Sequence, residues 1–212
     1  LNYSQKYTDN EYTGDVSSLN LMHNSRIYAF SEIKGTWGKF RYTAGVGVSY
    51  LYYRQDEHSY NHWTFCPKAS LSYNFTDRLQ LSYNVQSNER VSRIAMISDA
   101  SIRTNSMEWT VGSPELKPNR DTYQTLRLSY ADLRLQADLQ GYYKICRHPN
   151  MAVYERTAND KFIYTQRNQK EIDALQVSGY VNYWLLPEKL SVAGYGGLFR
   201  CFNFGTDYTH CY

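Results

Sequence analysis

The sequence predicts an all-β fold, an antiparallel transmembrane β-barrel present in part, as about eight strands of a larger barrel. Three observations carry this prediction. Long segments alternate between apolar and polar residues, tyrosine occurs 22 times, and short reversals take turns with long excursions.

The first segment with a strand pattern runs from Arg26 to Lys34 and reaches Lys39 through Gly35 and Gly38. The next is the most informative. Phe40, Tyr42, Ala44, Val46, Val48, Tyr50 and Tyr52 share one parity, and Lys39, Arg41, Thr43, Gly45, Gly47 and Ser49 share the other, with Leu51 and Tyr53 alone blurring the pattern. About 12 steps of ~3.3 Å give roughly 40 Å, and a tilt near 45° projects this to about 28 Å, the thickness of a hydrocarbon core. Strands of globular domains are much shorter. Aromatic residues close both ends of the row, where interfacial girdles belong.

Ala69, Leu71, Tyr73 and Phe75 then alternate with Ser70, Ser72 and Asn74, and Leu79, Leu81, Tyr83 and Val85 alternate with Gln80, Ser82, Asn84 and Gln86. Only Thr76, Asp77 and Arg78 separate them, so the two segments form an antiparallel hairpin. Leu126, Leu128 and Tyr130 lead through a turn at Ala131 and Asp132 to Leu133, Leu135, Ala137 and Leu139. A last hairpin joins Val177–Leu186 to Leu190–Phe202 through Pro187, Glu188 and Lys189. Longer excursions are expected at Gln55 to Asn61, Ser87 to Asp121 and Arg147 to Glu171. Short turns at one end and long loops at the other are the habit of outer-membrane barrels.

The second parity is polar. Lys39, Arg41, Ser70, Ser72, Asn74, Gln80, Ser82, Asn84, Arg134, Gln136, Asp138 and Gln140 are expected to line water or a polar plug, since burying so many polar groups in a dry core would be costly. Val46→Arg is accordingly expected to cost about 2 to 4 kcal/mol in lipid, and Gly47→Ser much less.

No run approaches the roughly 20 apolar residues of a membrane helix. The mean hydropathy of −0.64 is compatible with strands that average two unlike faces. The formal charge of +3 with no basic cluster gives no support for nucleic acid as a partner. The chain opens at Leu1 on a polar stretch, Asn2 to Asp15, and reads as a fragment or a processed piece. All of 1–212 is expected to belong to one outer-membrane barrel domain, with no plug domain present. Cys66, Cys146, Cys201 and Cys211 are widely spaced without a CxxC pair, which leaves disulfides possible and free thiols the plainer reading.

Few residues suggest site chemistry. His58 and His62, with Asp56 and Glu57 before them, offer metal-ligand atoms, but their spacing converges only on a helix and this stretch reads as a polar loop. His210, Cys211 and Cys201 form a second conceivable set, better read as loop residues. Asp138 and Asp173 are single acids without a partner carboxylate for acid–base work. The loop Ser87 to Asp121 carries Arg90, Arg93, Arg103, Met107 and Trp109, which could hold an anionic or aromatic ligand or could fold over the barrel mouth. No catalytic, cofactor-binding or metal residue is assigned, no cofactor is expected, and the chain is not expected to be an enzyme.

The same loop ends in Gly112, Ser113, Pro114, Glu115, Leu116, Lys117 and Pro118, just before a strand. This resembles the Gly-Asn-Pro-x-Leu-Lys-Pro-Glu segment of TonB-dependent receptors and of the related outer membrane protein beta-barrel family. Ser113 and Asn119 replace the usual Asn and Glu, while Gly112, Pro114, Leu116, Lys117 and Pro118 stay in register. The resemblance implies a barrel of roughly 22 strands in a Gram-negative outer membrane, a plug domain elsewhere in the protein, and energy supplied through TonB. Import of a scarce nutrient, such as a metal chelate, a cofactor or a glycan, would be the activity. The partners implied are the lipid bilayer with its lipopolysaccharide, the plug and the TonB complex. A plug-less barrel for diffusion, adhesion or assembly is the alternative, and a secreted soluble β-sandwich that binds carbohydrate is a third reading. The sandwich would require the Phe40 to Tyr52 row to pack on a second sheet.

Overall fold

Residues from eight successive strands fall into register as two unlike rows. Thr36, Arg41, Ser72, Ser82, Arg127, Gln140, Ser178 and Gly197 pair across the sheet in one row, every one polar or glycine. The adjacent row is Gly35, Tyr42, Leu71, Tyr83, Leu126, Gly141, Val177 and Leu198, every one apolar, aromatic or glycine. Directly paired residues share a face, so the alternation within each strand becomes two continuous surfaces.

The computed structural model describes residues 2–12, 18–55, 58–90, 92, 97, 101–205 and 209–211, with side chains over 4–5, 23–54, 59–90, 92, 97 and 101–205. The strands are β1 (Asn2–Tyr12), β2 (Ser18–Trp37), β3 (Phe40–Gln55), β4 (His58–Asn74), β5 (Leu79–Arg90), β6 (Ser101–Arg103), β7 (Glu108–Val111), β8 (Asn119–Ala131), β9 (Leu135–Arg147), β10 (Asn150–Arg156), β11 (Phe162–Asn168), β12 (Glu171–Leu186), β13 (Leu190–Phe204) and β14 (Thr209–Cys211). Ten of them form one antiparallel sheet in the order β1-β2-β3-β4-β5-β8-β9-β12-β13-β14, which is not closed. The wall thus has β1 and β14 beyond the eight strands expected from sequence.

The apolar surface faces outward. Phe40, Tyr42, Trp63, Phe65, Leu71, Leu126, Leu128, Leu139, Val177 and Leu198 all stand exposed on it. The Phe40 to Tyr52 row is paired within this sheet on both sides and, among the described residues, no second sheet lies on it, so the sandwich reading fails. Aromatic contacts mark both edges of the band. Phe40 and Tyr73 lie 4.5 Å apart between ring centres and Tyr73 and Phe75 4.9 Å at the short-turn end, and Tyr50 and Trp63 lie 4.8 Å apart at the other.

All four short reversals lie at one end, each built from local chemistry. Gly38 takes the left-handed conformation between β2 and β3, at φ 58°. Thr76 Oγ1 accepts the N–H groups of Arg78 and Leu79 at 3.2 and 3.0 Å. Asp132 Oδ1 accepts those of Arg134 and Leu135 at 2.8 and 3.1 Å, an Asx turn. In the last, Glu188 adopts a positive φ and Lys189 N–H donates to Leu186 O at 3.1 Å.

The opposite end differs from expectation. Gln55 to Asn61 is not a long polar loop, because β3 and β4 stay paired as far as Gln55 and His58. There the two strands have left the bilayer, and water on both faces removes the need for alternation. The other two excursions fold together. Strands β6 and β7 from one, and β10 and β11 from the other, make a separate sheet in the order β10-β11-β7-β6, in which β7 and β11 run parallel.

Candidate functional site

The polar face of the wall is organised by charge. Glu32 pairs with Lys34 at 2.6 Å and with Lys68, whose ammonium lies 4.5 Å from the centre of the Phe30 ring. Glycine makes this possible: a Cβ on Gly45 would stand 3.1 Å from Lys68 Cε and 3.3 Å from Phe30 Cε2. Further round, Arg127 Nη2 lies 2.9 Å from Asp138 Oδ1. Nearer the long-loop end Asp121, almost wholly buried, is held by Arg90, by Lys144 at 3.2 Å and by the Tyr123 hydroxyl at 3.1 Å. Each carboxylate has a cation beside it, as a surface in contact with water and polar groups requires.

Above this level the inner face opens into a cavity of about 450 Å³ between β2, β3, β4 and the segment that follows β5. Its walls include Arg26, Ser49, Leu51, Tyr53, Thr64 and Ile97. Leu51 and Tyr53, which blur the alternation of β3, face inward here and are buried with Ile97 close by. Arg26 Nε donates to Ser49 Oγ at 2.8 Å, and no carboxylate among the described residues lies within ion-pair distance of it. A guanidinium beside an apolar, tyrosine-bearing wall suits a ligand that joins negative charge to an apolar or aromatic body.

The Gly112 to Pro118 segment sits at the mouth. Leu116 N–H donates to Ser113 O at 3.2 Å, closing a turn, and Leu116 and Pro118 are buried. With Tyr60, His62, Glu89 and His148 the segment encloses a second cavity, of about 420 Å³. Asn168, the last residue of β11, clasps it. Its Oδ1 accepts Lys117 N–H at 2.7 Å, and its Nδ2 lies 3.0 Å from Lys117 O, 2.8 Å from His148 O and 2.7 Å from Asn150 Oδ1. One amide therefore ties the two long excursions to each other.

The residues singled out in sequence are mostly kept apart. Arg90 faces the lumen, Arg103, Met107 and Trp109 belong to the mouth sheet or its turns, and Arg93 lies outside the described residues. His62 is on a strand, not a loop, and its Nε2 is 2.9 Å from Glu89 Oε1. Asp56, Glu57 and the side chain of His58 lie outside the described residues, as do the side chains of His210 and Cys211. Among the described residues no group of three or more His, Cys, Asp or Glu is placed to hold a metal ion. Cys66, Cys146 and Cys201 are free thiols. Asp138 is paired with Arg127, and Asp173 accepts the Tyr143 hydroxyl at 2.5 Å. Sequence reasoning missed Arg26, Ser49 and Ile97 as cavity residues, although the lapse in alternation at Leu51 and Tyr53 marked the level at which they meet.

A continuous antiparallel sheet with an oily outer face, two aromatic belts and a charged inner face defines the class: the wall of a β-barrel that crosses the bacterial outer membrane. Residues 1–207 match the outer membrane protein beta-barrel family, and the chain belongs to it. No curated protein matches the chain in sequence. Among solved structures, the copper transporter OprC is similar with a TM-score of 0.63 at 14% identity, over 92% of this chain and 35% of that one. The siderophore receptor PirA from Pseudomonas aeruginosa is similar with a TM-score of 0.58 at 10% identity, over 87% of this chain and 45% of that one. Identities this low speak for the fold alone, and the chain spans less than half the length of either protein.

Proposed function

We propose that the chain is the barrel wall of a TonB-dependent receptor that imports a scarce nutrient, with all of 1–212 in one barrel domain and the plug supplied by another part of the protein. The observation that carries this reading is the inner face. Paired charges at Glu32, Lys68, Arg127 and Asp138, with Phe30 exposed among them, suit a folded polar plug seated against the wall. The motif from Gly112 to Pro118 supports it by resemblance.

Metal cargo is the first class to test, since one structural neighbour is a copper transporter and another a siderophore receptor. The Arg26 cavity favours a negatively charged chelate over a bare cation. A glycan or an organic cofactor remains within the same activity.

The test uses the full-length protein. Reconstituted in liposomes it is expected to pass no small solute by diffusion, and in cells its uptake of cargo is expected to stop when TonB is removed. Free diffusion through the liposomal protein, or uptake indifferent to TonB, would replace this reading with that of a plug-less barrel.

A further inference from the structure

We propose that the outward wall beside the split between β4 and β5 holds a phosphorylated lipid of the outer leaflet, its phosphate at Arg120 and Arg147 and an acyl chain in the cleft below. The split is a feature of the register. Strand β4 pairs with β5 only from Lys68 to Asn74; above that, β4 continues with β3 and β5 with β8. Pro67 stands at the point of divergence, with no N–H to offer a neighbour. A cleft of about 410 Å³ opens there, and Pro67, Ala69, Val85 and Ile145 give it an apolar floor.

Height places the two arginines at the headgroups. Along β8 the outward residues are Tyr130, Leu128 and Leu126, then Gln124, Thr122 and Arg120. Ten steps from Tyr130 span roughly 33 Å, or about 23 Å across a tilted wall, which is the height of the apolar band. Arg120 therefore emerges where lipid phosphates lie.

Charge argues for an anion. Arg120 and Arg147 are direct cross-strand partners, an arrangement that repels unless something negative lies between or beside them. Glu89 stands opposite Arg120 on the other side, but its carboxylate is bonded to His62. Arg147 has Glu171 at 3.4 Å, and Arg120 Nε donates to Ser87 Oγ at 3.3 Å with no carboxylate among the described residues in ion-pair range. Two guanidinium forks match phosphate oxygens in shape and charge. The apolar cleft beneath them selects a lipid over a free phosphate ion.

The full-length protein in detergent micelles, titrated with diphosphoryl lipid A and followed by thermal melting, tests this. Lipid A is expected to raise the melting temperature. R120Q/R147Q is expected to weaken the apparent affinity about tenfold or more, and R156Q/R167Q, the same loss of two charges on the mouth sheet, to leave it unaltered. Val85→Trp fills the cleft without touching either arginine and is expected to weaken lipid A as well, so it decides the matter should the double variant not fold. Unchanged affinity in R120Q/R147Q or in Val85→Trp, an equal effect of inorganic phosphate, or an equal effect of lipid A stripped of its phosphates would each overturn the proposal.

Discussion

Tyr28 covers Gly47 on the inner face of the wall. A Cβ built on the glycine would fall 2.5 Å from the phenol oxygen and 2.9 and 3.0 Å from two ring carbons. Gly47 is thus part of the floor on which the tyrosine lies, so Gly47→Ser, expected from sequence to cost much less than Val46→Arg, still carries a cost of its own. The ring must swing away, and Gly47→Ser is expected to cost about 1 kcal/mol. Adding Tyr28→Ala should remove most of that increment, a coupling that a double-mutant cycle in denaturant unfolding of the full-length barrel would read.

The contrast between the two faces is better tested at Val46 and Ser70. Val46 is at mid-height on the lipid side, and Ser70 pairs with Thr43 and Asn84 on the wet side. Val46→Arg should cost about 2 to 4 kcal/mol in a bilayer and Ser70→Arg less than about 1 kcal/mol. Equal costs in lipid-vesicle unfolding would mean that the faces are assigned wrongly.

Asn168→Ala removes the clasp on Lys117, His148 and Asn150 in one step. About 2 kcal/mol of loop ordering should be lost, while the wall, which shares none of these bonds, keeps its unfolding midpoint. Limited proteolysis within 101–118 should accelerate several-fold; unchanged cutting would show that the two excursions hold together without the amide.

Asp132 gives an acid-sensitive turn. Its carboxylate accepts the Arg134 and Leu135 N–H groups and the Tyr130 hydroxyl, and these bonds hold its pKa below the ordinary value. A depressed folded-state pKa means that the stabilisation is complete above the unfolded-state value and is lost as pH falls through the folded one. The protection factors of the Arg134 and Leu135 amides, which correct exchange for its intrinsic slowing toward acid, should therefore fall as pH drops. Asp132→Asn keeps an acceptor oxygen but cannot titrate, and its exchange should lack that acid-dependent step.

Where lipid lies on one side and water on the other, the sequence was legible. From Phe40 to Val48 and from Leu79 to Val85 every residue had its face marked by its chemistry, and the structure places each as read. The legibility stops where that asymmetry stops. Strand β1 (Asn2–Tyr12) and the upper part of β4 carry no clean alternation and read as polar openings or loops. The mouth sheet was hidden for another reason. Glu108–Thr110 pairs with Phe162–Tyr164, and nothing local to either segment signals a parallel partner so far along the chain. The Arg26 cavity was visible only as a flaw, two apolar residues on the polar parity.

The parallel pairing of β7 with β11 also imposes an order on biogenesis. The two strands flank the β8–β9 hairpin in the chain, so their pairing in its native place is complete only once that hairpin spans the wall and both excursions stand on the same side of the membrane. An assembly intermediate stalled with this hairpin half inserted would present two limp protease-sensitive tethers, and their joint protection would serve as a clock for the completion of that sector of the wall.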